Sequence, residues 1–242
     1  MSKSVVDSII GAVFEPGGIL EIGPGPGVLS QRLQNLAPLV ALDIDPRVEN
    51  LLSESAPKAK FIKADVLKCD LRALIEPLAP PRWVVSNLPY NISSAVLVRL
   101  CEVRELLAGC VLMMQREVAA RITAQPGNSD RGSLSVAVQL RNTIKSICKV
   151  PATAFYPPPK VESTVLSFTP KLEAVPSEID RLLRAGFTQP RKTLINNLGS
   201  LMKRESAEKL LTRCGLDSRI RAHALTEAQW IDLATQLNSL SN

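Results

Sequence analysis

Histidine is almost absent from this chain of 242 residues: the single copy, His223, lies in a polar stretch near the end. A Ser-His-Asp relay and a His-based metal site are thereby excluded, and His223 is read as a surface residue. Cysteine is sparse and scattered. Cys69, Cys101, Cys110, Cys148 and Cys214 are odd in number and form no C-x-x-C pair, so they read as reduced thiols of a cytoplasmic protein rather than disulfides or zinc ligands. No apolar run reaches membrane-spanning length, and Met1-Ser2-Lys3-Ser4 leads into an amphipathic segment without the apolar core of a signal peptide. A membrane partner is not expected. Internal repeats and low-complexity tracts are missing as well.

What is present suits one large α/β domain, alone or with a small appendage: 45% hydrophobic and 21% charged residues are ordinary for a globular chain. The net charge of +6 points to a polyanionic partner. The sharpest local pattern is Ile19-Leu20-Glu21-Ile22-Gly23-Pro24-Gly25-Pro26-Gly27, an apolar run ending in glycines at alternate positions, followed by a helical segment over 28–33. It reads as a buried strand turning into a helix, with Gly23 and Gly25 free to let backbone press against a ligand. The spacing departs from the G-x-G-x-x-G of pyrophosphate sites, and a nucleoside without phosphates fits at least as well.

Further apolar runs follow at 39–42, 60–63 and 82–86, ending in Asp43, Asp65 and Asn87. In an open parallel sheet the crevice beyond the carboxyl ends of the strands binds ligands, so Gly23 and these three side chains are expected on one rim. Asp43 stands where an acid accepts bonds from ribose hydroxyls; Asp45 is assigned to capping the helix that starts at Pro46. Asp65 suits the exocyclic amine of an adenine ring, the alternative being a turn cap. Strands are also expected at 109–114, where Met113 and Met114 fill core, and at 144–150 and 161–168; helices are expected over 4–13 and 115–122, and a mobile loop over 125–132.

Asn87-Leu88-Pro89-Tyr90 suggests a specific chemistry. Methyl transfer from a sulfonium to an adenine amine needs the nitrogen lone pair turned out of ring conjugation. The Asn87 oxygen and the Leu88 carbonyl can accept its two N–H bonds, with Pro89 fixing the turn. Tyr90 can stack on a flipped base, and Phe155, held by Pro157-Pro158-Pro159, can cover its other face. No strong base is required. From about Lys171 the strand signal ends and helical spacing takes over, with a Thr226-x-x-Gln229 capping box near the end. This part carries eleven Lys and Arg against eight Asp and Glu.

The segments Glu21–Gly27, Asn87–Ser93, Gln115–Val118 and Phe155–Val161, with Arg191-Lys192-Thr193 in the helical tail, closely resemble the small-subunit ribosomal RNA adenine N6,N6-dimethyltransferases in order and spacing. The resemblance implies an α/β, Rossmann-like, seven-stranded S-adenosylmethionine-dependent methyltransferase domain over 1–170 and a small helical domain for RNA and ribosome binding over 171–242. It implies a monomeric cytoplasmic enzyme that uses S-adenosylmethionine and no metal. Its substrate would be two adjacent adenines in the hairpin near the 3′ end of 16S rRNA, within an immature small subunit. Catalytic positions carried across are Asn87, Leu88, Pro89, Tyr90 and Phe155. Gly23, Gly25, Asp43, Asp65 and Asn87 are carried across as cofactor positions, and Arg191, Lys192, Lys203 and Arg204 are expected to contact RNA phosphates. Asp43 stands where the family commonly has Glu, a shorter arm with the same chemistry.

Two other readings stay in view. Macrolide-resistance methyltransferases of the large subunit are related to that family, but typically differ at the Leu88 position and lack the full triple proline. An assembly or transcription factor on the same scaffold is the third. In the family a Gly-Gln-Asn-Phe-Leu segment usually precedes the first helix and folds over the cofactor; the sequence in hand begins at Met1-Ser2-Lys3 without that motif, from which weak binding of free S-adenosylmethionine is expected.

Overall fold

The computed structural model describes residues 1–241. Its centre is a seven-stranded sheet built from β1 (Gly18–Ile22), β2 (Leu39–Asp43), β3 (Lys60–Lys63), β4 (Arg82–Asn87), β5 (Gly109–Gln115), β6 (Asn142–Val150) and β7 (Ser163–Pro170). The spatial order is β3-β2-β1-β4-β5-β7-β6. The first five strands run parallel, whereas β7 pairs antiparallel with both β5 and β6. This is the Rossmann-like methyltransferase architecture expected from the sequence. The central strands are apolar without alternation because both faces are covered; all five residues of β1 and six of the seven in β5 are buried. Met113 and Met114 are fully buried there. The edges differ. β3 exposes Lys60 and Lys63, while β6 exposes Lys145 and Lys149 and carries a register shift between Ser146 and Cys148, devices that discourage pairing with another sheet.

Eleven α-helices are present among the described residues: α1 (Lys3–Gly11), α2 (Ser30–Leu33), α3 (Arg47–Ser55), α4 (Leu71–Ile75), α5 (Ser93–Glu102), α6 (Arg116–Thr123), α7 (Ser133–Arg141), α8 (Ile179–Gly186), α9 (Leu194–Asn197), α10 (Arg204–Arg213) and α11 (Glu227–Ser241). The chain divides into two compact units, one of Met1–Ala119 with Asn142–Leu172, the other of Ala120–Arg141 with Glu173–Asn242. This division differs from a single cut after residue 170, because the segment 120–141 groups with the helical tail.

In the sheet unit, Val5, Val6 and Ile9 of α1 join Ile19, Val85, Val111 and Val165 of the strands in one apolar cluster. Ala41, Val48, Leu52 and Ala56 form another. The helical unit has its own core, in which Trp230 stacks on Phe187 with ring centroids 5.6 Å apart. The expected capping box is formed: Gln229 N–H donates to Thr226 Oγ1 at 3.2 Å and Thr226 N–H to Gln229 Oε1 at 2.9 Å.

Within residues 125–132, where a mobile loop is expected from their polarity, two positions are anchored. Arg131 is 2% exposed. Its guanidinium donates to Gln139 Oε1 and Glu227 Oε1 at 3.0 and 2.5 Å and to the Leu225 carbonyl. Gly127 N–H donates to the His223 carbonyl. A buried cation bonded to three partners pins the end of this segment, since removal of its partners would leave an uncompensated buried charge.

Candidate active site

Parallel strands bring their carboxyl ends to one rim, and three backbone hydrogen bonds tie neighbouring ends together. Gly23 N–H donates to the Leu42 carbonyl at 2.8 Å, Ala64 N–H to that of Asp43 at 2.9 Å, and Leu88 N–H to that of Met113 at 3.0 Å. Asp43 and Asn87 are therefore the last residues of β2 and β4, and Gly23 and Asp65 follow the ends of β1 and β3. The glycine loop depends on left-handed backbone, with φ of 67° at Gly23, 52° at Gly25 and 78° at Gly27. A Cβ on Gly27 would lie 2.1 Å from Ser55 Oγ, so only glycine lets the loop lie against α3. At Gly23 a Cβ would meet only Pro89 Cδ at 3.7 Å, so conformation rather than space requires glycine there. That short distance also brings the β1 loop beside the β4 loop.

The acids at β2 and β3 already serve their own turns. Asp43 Oδ1 accepts the Asp45 N–H at 3.0 Å, and Asp65 Oδ1 accepts the Leu67 N–H at 2.9 Å. Each keeps a second oxygen outside these turns; that of Asp65 lies 3.9 Å from Lys68 Nζ. The two readings of Asp65, ligand or turn cap, are thus compatible, since one carboxylate has an oxygen for each. Asp45 does take the capping role: Oδ1 accepts the Arg47 N–H at 2.9 Å, and the Arg47 guanidinium holds its carboxyl down at about 2. The Asp65 loop is fastened from α5, where the Arg99 guanidinium donates to the carbonyls of Val66 and Cys69 at 2.6 and 2.7 Å.

Glu21 is the polar residue sequence reasoning passed over. It sits mid-strand between Ala41 and Val85, is 1% exposed, and accepts a 2.5 Å hydrogen bond from the Ser30 hydroxyl. Burial raises its carboxyl from 4.5 to about 7, with the Ser30 bond pulling the other way. Its signal was a lone carboxyl within an apolar run whose neighbours are all core. The Glu21–Ser30 bond spans the whole glycine loop and closes it at both ends.

At the end of β4 the expected catalytic residues come together. Asn87, Leu88, Pro89, Tyr90 and Phe155, with Pro157 and Pro159, line one cleft of about 300 Å3. Among the described residues the Asn87 side-chain amide and the Leu88 carbonyl have no hydrogen-bond partner within the chain. The turn is held through other atoms: Ile92 N–H donates to the Pro89 carbonyl, and the Ser93 hydroxyl to that of Tyr90. The Tyr90 phenol is hydrogen-bonded at 3.0 Å to the hydroxyl of Ser163, a buried residue of β7 that sequence reasoning did not single out. Phe155 packs against the apolar cluster beneath it. The cleft lining holds no carboxylate, histidine or lysine, so it offers planar surfaces and hydrogen-bond acceptors rather than general base chemistry. Among the described residues no group of three or more His, Cys, Asp or Glu side chains could hold a metal ion.

Arg191, Lys192, Lys203 and Arg204 belong to the helical unit, and all four are exposed. Arg204 bonds Glu208 Oε1 at 3.0 Å and Asn196 Oδ1 at 3.4 Å. No helix among the described residues is long and apolar enough to cross a membrane.

Comparison with known proteins gives one consistent result. The pattern of the family described as "Ribosomal RNA adenine dimethylase" matches residues 1–239. A "Ribosomal RNA small subunit methyltransferase A" of Geobacillus thermodenitrificans is 38% identical over 240 residues, covering 92% of this chain and 82% of the relative. The protein of the same name from Nostoc punctiforme is 35% identical over 260 residues, covering 98% and 91%. Among solved structures, a dimethyladenosine transferase from Plasmodium falciparum superposes with a TM-score of 0.83 at 26% identity, covering 99% of this chain and 97% of that one. The 23S rRNA methyltransferase ErmE has a TM-score of 0.69 at 24% identity, covering 98% and 97%, which shows a shared fold.

Proposed function

The chain belongs to the ribosomal RNA adenine dimethylase family, and on that premise we propose that it methylates the N6 amines of two adjacent adenines in the 3′-terminal hairpin of 16S rRNA. The particle it acts on is an immature small ribosomal subunit, met in the cytoplasm by a monomer. The observation that carries this reading is the cleft at the end of β4, which joins two unengaged acceptors, Asn87 and the Leu88 carbonyl, to two aromatic rings, with no general base in its lining.

S-Adenosylmethionine is the proposed donor, and the rim fits it. The left-handed glycine loop leaves Gly23 and Gly25 able to approach its methionine portion closely, Asp43 keeps an oxygen for ribose, and Asp65 keeps one for the adenine amine. When bound, it supplies an electrophilic methyl group on a sulfonium. The protein's own part is then geometric. Asn87 and the Leu88 carbonyl accept the two N–H bonds of the target amine and turn its lone pair out of the ring, while Tyr90 and Phe155 hold the flipped base between them. Because Ser163 fixes the Tyr90 phenol, the ring is set before the base arrives. Arg191, Lys192, Lys203 and Arg204 are the proposed phosphate contacts of the helical unit.

Single-turnover methylation tests the whole reading. With immature small subunits, labelled methyl groups are expected in N6,N6-dimethyladenosine at two adjacent positions. Label confined to large-subunit RNA would favour the macrolide-resistance reading, and none on either would favour a non-catalytic assembly factor. Reversing the charges of Arg191 and Lys192 should lower the salt slope of subunit binding by roughly one for each phosphate no longer neutralised; an unaltered slope would remove them from the interface.

A further inference from the structure

Phe155, Pro157 and Pro159 line the cleft, and Tyr156 and Pro158 between them are not part of its lining. Phe155 is extended, with φ −116° and ψ 157°, and the chain then bends through Tyr156 and Pro157, which are joined by a cis peptide bond. Tyr156, Pro158 and Lys160 are all exposed on this segment, and Tyr156 is 97% exposed. Exposure alone decides nothing, since Phe14 is 72% exposed with no such setting. What sets Tyr156 apart is its place between two cleft-lining residues, on a strap that also carries a cation. Lys160 forms no ion pair among the described residues, and the nearest acid in sequence, Glu162, is paired with Arg116 at 2.8 Å. An exposed aromatic ring and, four residues on, an exposed ammonium with no ion pair among the described residues, both on a proline-rich segment, are the chemistry that holds single-stranded nucleic acid, the ring by stacking on any base and the cation by meeting a phosphate.

We propose that Tyr156 and Lys160 form an RNA subsite outside the cleft, where Tyr156 stacks on the base flanking the target adenine and Lys160 meets its backbone phosphate. This rests on the adenine-methylating reading above and adds a specific job to it: with one adenine in the cleft, the strand leaving it crosses the strap, and the neighbouring base needs a surface once it is unstacked. The subsite acts in binding, not in the chemical step.

The test is steady-state methylation of unmethylated small ribosomal subunits by the full chain, with cofactor affinity measured alongside. Tyr156→Ala should raise KM for subunits by roughly tenfold, the scale of one aromatic–base stack, with kcat within about twofold and S-adenosylmethionine affinity unchanged. Tyr156→Phe and Tyr156→Trp should restore KM, whereas Tyr156→Leu should not. Lys160→Gln should raise KM and reduce the salt slope by about one. A Tyr156→Ala enzyme with wild-type KM, a lowered kcat at unchanged KM, or full rescue by Tyr156→Leu would overturn the subsite while leaving the adenine reading standing. A wild-type chain that methylates no adenine in small subunits would overturn both.

Discussion

The two ends of the same rim are built in opposite ways. At the proposed cofactor end, β1 to β3, each carboxylate already has one oxygen engaged, Glu21 by Ser30, Asp43 by the Asp45 N–H and Asp65 by the Leu67 N–H, with Arg99 fastening the loop from α5. At the proposed target end, β4, the turn is secured through Pro89, Tyr90 and Ser93, and the two acceptors at the cleft are left unengaged. A region that must hold a ligand in one pose gains from bonds made beforehand. Acceptors meant for an amine whose geometry changes during reaction gain from having no competing partner. The proposed division of labour follows: the β1–β3 end binds, and the β4 end acts on the transition state.

The largest expected effect sharpens that contrast. Asn87→Ala should lower the rate of methyl transfer by roughly 10²–10³-fold, the scale for removing one preorganised polar partner of a transition state, with cofactor affinity reduced far less. Turnover within a few-fold of wild type would remove Asn87 from the chemistry.

Glu21 tests how firmly the cofactor end is assembled in advance. The folded carboxyl holds its proton up to about pH 7, whereas its ordinary value is 4.5. Between those values the folded state binds the extra proton, so this group's contribution to stability is full below about 4.5 and falls as pH rises to about 7. The loss amounts to about 3 kcal/mol. Glu21→Gln keeps an acceptor for Ser30 without a titrating group. Urea unfolding at about pH 5 and pH 7.5 should show wild type losing stability relative to the variant, and parallel behaviour of the two would place the Glu21 titration elsewhere.

Asp43→Ala should weaken cofactor binding by about 1.5–3 kcal/mol, the range for hydrogen bonds to a charged acceptor. Calorimetry giving unchanged affinity would reduce Asp43 to its turn with Asp45. The smallest effect is expected at Ser163→Ala, which frees the Tyr90 phenol. One neutral hydrogen bond is worth about 1 kcal/mol, so kcat/KM for RNA should fall by several-fold while cofactor affinity stays the same. An equal loss in cofactor affinity would mean that β7 supports the whole rim.

The sheet and the cleft were legible in the sequence for one physical reason. Strands covered on both faces are near-continuous apolar runs, and their ends announce the rim, so Gly23, Asp43, Asp65 and Asn87 could be assigned to strand ends from their position after such runs. Helix α7 was not legible. Its buried face includes Ser135 and Gln139, which reach the carbonyls of Arg121, Ile122 and Ala124, so polar residues occupy places where helical periodicity calls for apolar ones. Arg131 misled for the same reason: a charge reads as surface until its partners, far away in sequence, are known. Ser163 and the Glu21–Ser30 bond belong to this class too, since pairs 73 and nine residues apart leave no local pattern.

The division of the rim is tested most directly by comparing Asn87→Ala and Asp43→Ala in single-turnover methylation of immature small subunits across a range of S-adenosylmethionine concentrations. The account predicts that Asp43→Ala approaches the wild-type rate once cofactor saturates, while Asn87→Ala stays roughly 10²-fold or more below it at every concentration. If saturating cofactor restored Asn87→Ala, or failed to restore Asp43→Ala, the two ends of the rim would not divide binding from chemistry.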